Sequence, residues 1–147
     1  MRYSTLPLLF SVLFAGGALA ADIEYCPDVS SIKNTHGVYT APTANGMYEW
    51  IGVAQGATTG DVTEFSSGLF YPDEQKGTQM GVLSKCTYKT QNASLVDLRY
   101  RPEVNPDIRV KLEKVENWEE KEGHFGIKYF ECESKASGAC AFSEIPQ

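Results

Sequence analysis

The chain has 147 residues, 13 basic and 19 acidic, with a net charge of −6 and four cysteines. That length holds one modest domain with a real core. The acidic balance argues against a phosphate backbone or an anionic lipid surface as partner.

Arg2 precedes an apolar run from Leu6 to Ala15, which gives way to Gly16-Gly17-Ala18-Leu19-Ala20 ahead of Asp22. A basic start, a short apolar run and small residues together read as a secretory signal peptide over residues 1–20, cleaved after Ala20. The apolar part is shorter than the roughly 20 residues a bilayer span needs, so no membrane anchor is expected. Residues 21–147 are then a single β-rich domain, periplasmic or secreted. Losing Arg2 leaves twelve basic residues against nineteen acidic ones, a balance of −7.

The mature chain opens with a short extended segment, Asp22 to Tyr25, followed by Cys26-Pro27 and at most a helical turn over Asp28 to Ser31. Val38-Tyr39-Thr40 starts strand-like sequence that Ala41-Pro42 and the turn-forming Asn45-Gly46 close. Between Met47 and Ala54, alternation puts Met47, Ile51 and Val53 on one face and Tyr48 and Trp50 on the other. With both faces apolar, either the strand is covered on both sides or one face binds a ligand. Gly56 to Gly60 is a polar loop. Val62 to Tyr71 is a strand with Phe65, Leu69 and Tyr71 in step and a bulge at Gly68, ended by a turn from Pro72 to Gly77.

Met80 to Thr90 is the central strand. Side chains alternate between faces, so Met80, Val82, Cys86 and Tyr88 are expected on one side, delivering the cysteine into the core beside an aromatic ring. Gln91-Asn92-Ala93 turns the chain into Ser94 to Arg101, where Val96, Leu98 and Tyr100 face in and Asp97, Arg99 and Arg101 face out. Ile108 to Trp118 fits both a strand and one helical face; its β-branched opening favours strand, then loop. Phe125 to Cys132 is a further strand, and Ala139 to Phe142 a short edge. The fold class is mostly β, a small antiparallel barrel or sandwich with two disulfides.

Cys26, Cys86, Cys132 and Cys140 all lie beyond the leader, and an even count in an exported chain implies two disulfides. Three pairings are possible. Cys132 with Cys140 is favoured because Ser134 to Gly138 can turn the chain back, which leaves Cys26 for Cys86. Loop-closure arithmetic gives roughly 2.5 kcal/mol for the short ring and about 4 kcal/mol for the long one. There is no Cys-x-x-Cys, and neither His36 nor His124 has a ligand-spaced neighbour, so no metal is expected.

Catalytic constellations are sparse. No Gly-x-Ser-x-Gly elbow or phosphate-binding glycine loop is present, and no cofactor is implied. Glu113, Glu116, Glu119, Glu120 and Glu122 could supply the carboxylate pair that glycoside hydrolysis needs. They are interleaved with Lys111, Lys114 and Lys121, as on a solvated charged face. Tyr39, Tyr48, Trp50, Phe65, Tyr71, Tyr88 and Tyr100 recur over successive strands and mostly fill a core. Tyr48 and Trp50, with Trp118, are the candidates for an exposed aromatic platform.

Cys26-Pro27, Gly46 to Trp50, Cys86-Thr87-Tyr88, Asn117-Trp118 and finally Cys132 with Cys140-Ala141-Phe142, in that order, resemble an uncharacterised family of small exported, disulfide-bonded proteins of Gram-negative bacteria. The pattern spans nearly the whole mature chain, although the family carries proline where this sequence has Ala141. The resemblance implies a periplasmic or secreted disulfide-bonded domain and no particular catalytic residues. The expected function is an exported, non-enzymatic domain recognising a protein or glycan of the cell envelope or host, inhibition of a hydrolase such as lysozyme being one form. The alternative is a small secreted hydrolase using a carboxylate pair within Glu113 to Glu122, aided by His124.

Overall fold

The computed structural model describes residues 22–54, 60–73, 79–104 and 106–146. The leader expected at 1–20, and most of the loops expected over 56–60 and 72–77, lie outside the described residues. Eleven strands are described: β1 (Ile23–Tyr25), β2 (Lys33–Thr35), β3 (Val38–Pro42), β4 (Glu49–Val53), β5 (Val62–Pro72), β6 (Met80–Thr90), β7 (Leu95–Tyr100), β8 (Val110–Leu112), β9 (Glu119–Glu122), β10 (Lys128–Cys132) and β11 (Ala141–Glu144). Short 3-10 turns cover Val29–Ser31, Val115–Asn117 and His124–Gly126. The strand pairings are antiparallel, so the fold is mostly antiparallel β as the alternation predicts.

The sheet forks at β6. Along one edge β6 pairs with β5, which continues to β10 and β9. Along the other edge it holds β8 at its start, through Met80 and Gly81, and β7 at its end, from Cys86 to Lys89. Two arms therefore leave the same edge, one running β7-β4-β3-β2 and the other β8-β11-β1. They curl toward each other into a half-barrel. Phe142 of β11 meets Trp50 of β4 edge-on at 6.0 Å and Tyr100 of β7 at 5.2 Å between ring centroids. β11 is thus an interior strand between β1 and β8, where the sequence suggested a short edge over Ala139 to Phe142.

Bulges correct the expected facing of the two long strands. Leu69 pairs with Lys85 and Phe70 with Leu83, so Ser84 is an extra residue on β6 between its two partner strands. Each extra residue reverses the alternation beyond it. Leu83 therefore joins Cys86 and Tyr88 in the core, while Met80 and Val82 are only partly buried. On β5 the extra residues are Thr63 and Ser66. Phe65 consequently shares the inner face with Gly68 and Phe70, and Tyr71 is left exposed. The bulge expected at Gly68 lies two residues earlier.

Gly68 has another reason to be glycine. It pairs with Cys86 on one side and with Cys132 on the other, so both cysteines flank it in one row across three strands. A Cβ there would come within 3.0 Å of Cys26 Sγ and 3.2 Å of the Trp118 ring. The disulfides are Cys26–Cys86 and Cys132–Cys140, the favoured pairing. Cys26 also donates its backbone N–H to the Cys140 carbonyl, and the Tyr88 hydroxyl donates to the Pro27 carbonyl. The disulfide to Cys86 and the Tyr88 bond thus hold the N-terminal arm on the central strand, and the Cys140 bond ties it to the start of β11. Ile108 to Trp118 resolves as the short strand β8 followed by a turn, in line with the strand reading.

Candidate functional site

The three aromatic candidates part company. Trp50 is fully buried, its ring enclosed by Tyr100 and Phe142, and Trp118 is buried over Gly68 and against Phe70 with its indole N–H donated to the Ala141 carbonyl. Neither can serve as an exposed platform. Each is packed within the buried core. Tyr48 alone stays at the surface, because it precedes β4 and belongs to the loop between β3 and β4.

That loop is held by its own side chains. Thr43 and Tyr48 exchange backbone and hydroxyl hydrogen bonds, Asn45 Oδ1 accepts from the Thr43 hydroxyl and the Met47 N–H, and Gly46 turns the chain at φ +71°. Residues with local side-chain acceptors at such a turn replace the sheet bonds it lacks. Tyr48 is thereby fixed under Arg101, whose guanidinium carbon lies 3.5 Å from the ring centroid.

Arg101 follows β7 in the left-handed region at φ +44°, a conformation that costs a non-glycine residue about 1–2 kcal/mol. Several contacts hold it there. It donates to Glu144 Oε1 at 2.8 Å, lies 3.5 Å from Glu103 and stacks on Tyr48. The Tyr100 hydroxyl donates to the same Glu144 oxygen at 2.5 Å. These bonds join the C-terminal end of β7 in one arm to the C-terminal end of β11 in the other, since Glu144 closes β11.

Glu24 makes a second clasp. It lies opposite Phe142 on β1 and is 7% exposed, with one oxygen accepting the Tyr25 N–H at 3.0 Å and the other the Ala44 N–H at 2.8 Å. Burial holds its carboxyl above the ordinary carboxylate pKa, the two N–H groups and the Trp50 indole oppose this, and the negative charge of Glu144 adds to the rise. The Trp50 N–H has no hydrogen-bond partner of normal geometry, so its pull on Glu24 is weaker than that of the backbone donors. Burial and the Glu144 bond likewise raise the Tyr100 hydroxyl well above its usual pKa.

Between the clasps opens a cavity of about 400 Å³, lined by Ile23, Glu24, Met47, Tyr48, Arg101 and Glu144 among others. Its chemistry is mixed. Asp22, Glu24 and Glu144 face one arginine, and that arginine is already engaged by Glu144 and Glu103. Ile23 and Met47, both exposed, provide an apolar rim. Apart from Tyr48, none of this was marked by the sequence, which gave Tyr100 and Arg101 only as alternating strand residues.

The carboxylates between Glu113 and Glu122 are arranged differently. Glu113 accepts the Ser143 hydroxyl, Glu116 and Glu119 are exposed, and Glu120 is exposed and paired with Lys128 at 3.2 Å. Glu122 shares a shallow depression with His124 and Tyr129. Among the described residues no three His, Cys, Asp or Glu side chains are grouped so as to hold a metal ion.

No curated protein and no solved structure matches the chain. One family model does, over residues 21–143, which takes in both disulfides, both arms and Glu24, Tyr48 and Arg101 of the cavity. The chain belongs to the family DUF3757, described as a protein of unknown function.

Proposed function

We propose that this is an exported, non-enzymatic binding domain whose mouth cavity receives a cationic group, an amine or guanidinium, presented by a protein or cell-envelope ligand. The observation that carries the reading is the charge balance between the arms: three carboxylates, one of them buried, line the cavity against a single arginine already bound to one of them. An incoming cation would offset the repulsion between Glu24 and Glu144, and its aliphatic stem would lie on Ile23 and Met47. The stacking of Arg101 on Tyr48 is an internal example of the same recognition. Export is supported by the leader pattern and by two disulfides, which persist in oxidising compartments. Binding is preferred to hydrolysis because Glu119, Glu120 and Glu122 lie along an exposed strand where one is neutralised by Lys128, while Glu113 is taken up by the Ser143 hydroxyl.

The test is an NMR titration of the mature chain with the N-acetylated, C-amidated tripeptide Gly-Lys-Gly and its equally capped norleucine counterpart, which has the same stem and no charge. The lysine peptide should shift the Tyr48, Tyr100 and Arg101 resonances saturably, and Glu144→Gln should weaken it by roughly tenfold, the loss of one charge-assisted contact. Equal responses to both peptides would overturn the reading.

A further inference from the structure

The hairpin of β9 and β10 carries a residue that is disfavoured on two independent counts. Phe125 stands at its tip with φ +60°, in the left-handed region that favours glycine, and its side chain is 101% exposed. The sequence suggested that it opens a strand, yet it lies in the turn His124–Gly126 ahead of β10. A tip built for folding alone would place glycine or asparagine here. Neither exposure nor backbone helps the fold, and residues held against local preference mark functional positions.

The ring is also not isolated. Ile127 is 50% exposed, Tyr71 is 42% exposed and lies 6.4 Å from Tyr129 between ring centroids, and all four side chains border one depression. Around this apolar ground the hairpin is net acidic, with Glu119, Glu120, Glu122 and Glu131 against Lys121 and Lys128. Lys121 is engaged by Glu131 at 2.8 Å and Lys128 by Glu120 at 3.2 Å, so both lysines of the hairpin are neutralised within it, while Glu122 borders the depression itself.

We propose that the β9–β10 tip is a knob that seats Phe125 in an apolar recess ringed by basic side chains on a partner protein. A protruding ring requires a concave partner, and the acidic rim selects a basic one. A second copy of the chain fits poorly, since pairing β9 with itself would set one net-acidic strand, Glu119-Glu120-Lys121-Glu122, against another, with Glu119 opposite Glu122. An anionic lipid surface would be repelled by the same rim. The knob shares no residue with the mouth cavity, so it stands or falls separately from the cation reading.

The test places a photo-crosslinking benzoylphenylalanine at position 125 of the full chain in the cells that make it, with the same group at exposed Val53 of β4 as control. Irradiation should link position 125 to a basic protein at roughly tenfold the yield of the control, and the double variant Glu119→Lys, Glu122→Lys should lose most of that adduct. Phe125→Gly should melt no lower than the wild type. Adducts to lipid or to a second copy, an adduct indifferent to charge reversal, or none above the control would each overturn the proposal. So would a lower melting temperature for Phe125→Gly, which would make the ring structural.

Discussion

The ring of Trp118 occupies the space above Gly68, 3.2 Å from where a Cβ would sit, with Cys26 Sγ at 3.0 Å from the same point. An added methyl group must therefore displace a buried indole and a disulfide sulfur, neither of which can swing aside freely. Gly68→Ala should destabilise the domain by about 1–3 kcal/mol and Gly68→Val by more, measured by urea unfolding of the oxidised chain. A wild-type midpoint for Gly68→Ala would show that the two neighbours are more loosely held than their contacts imply.

The disulfides differ in what they constrain. Cys26 and Cys86 are 60 positions apart and Cys132 and Cys140 only 8, so the first bridge restricts the unfolded chain more, by about 4 against about 2.5 kcal/mol in the loop-entropy model. Cys86 is also fully buried on the strand from which both arms fork. Replacing Cys26 and Cys86 together by alanine should lower the unfolding midpoint more than replacing Cys132 and Cys140 together. Non-reducing peptide mapping checks the pairing itself, and a Cys26 peptide linked to Cys132 or Cys140 would contradict it.

The sequence made the class, the disulfide pairing and the inward set Val96, Leu98 and Tyr100 readable, because β7 is short and unbulged and its alternation survives intact. It misled on β5 and β6 because Ser66 and Ser84 look like any other strand residue, and one extra residue reverses every side chain beyond it. Tyr48 and Trp50 share a face by parity, yet the strand begins between them at Glu49, which puts one outside and the other in the core. The cavity was invisible for a different reason. Glu24 and Glu144 come from opposite ends of the chain and meet only because β1 and β11 pair on the arm facing Tyr100 and Arg101.

Glu24 gives the cavity a pH signature. Its folded pKa is raised, mainly by burial, so the carboxyl ionises later in the folded chain than in the unfolded one. The native state then binds more protons than the unfolded state between those two values, and stability contributed by this group is lost as pH rises from about 4.3 through the raised value. Glu24→Gln should flatten that part of the stability curve, followed by urea midpoints from about pH 4 to about pH 7. Affinity for the lysine peptide has the opposite sign and should strengthen over the same interval as the carboxylate forms. An unchanged slope in Glu24→Gln would assign the pH dependence to other carboxylates.

Neighbouring aromatics at the mouth should separate folding from binding. Trp50 is enclosed by Tyr100 and Phe142, so Trp50→Ala opens a large cavity where the two arms meet and should cost about 3–5 kcal/mol. Tyr48 is partly exposed and gives the fold chiefly its stack with Arg101, worth about 0.5–1 kcal/mol at a surface site. Tyr48→Ala should therefore remain folded, with nearly the wild-type unfolding midpoint, while losing the saturable response to Gly-Lys-Gly. Tyr48→Phe keeps the ring and should keep both. If Tyr48→Ala binds the lysine peptide as the wild type does, the aromatic wall plays no part in recognition and the carboxylates alone must account for any cation that binds.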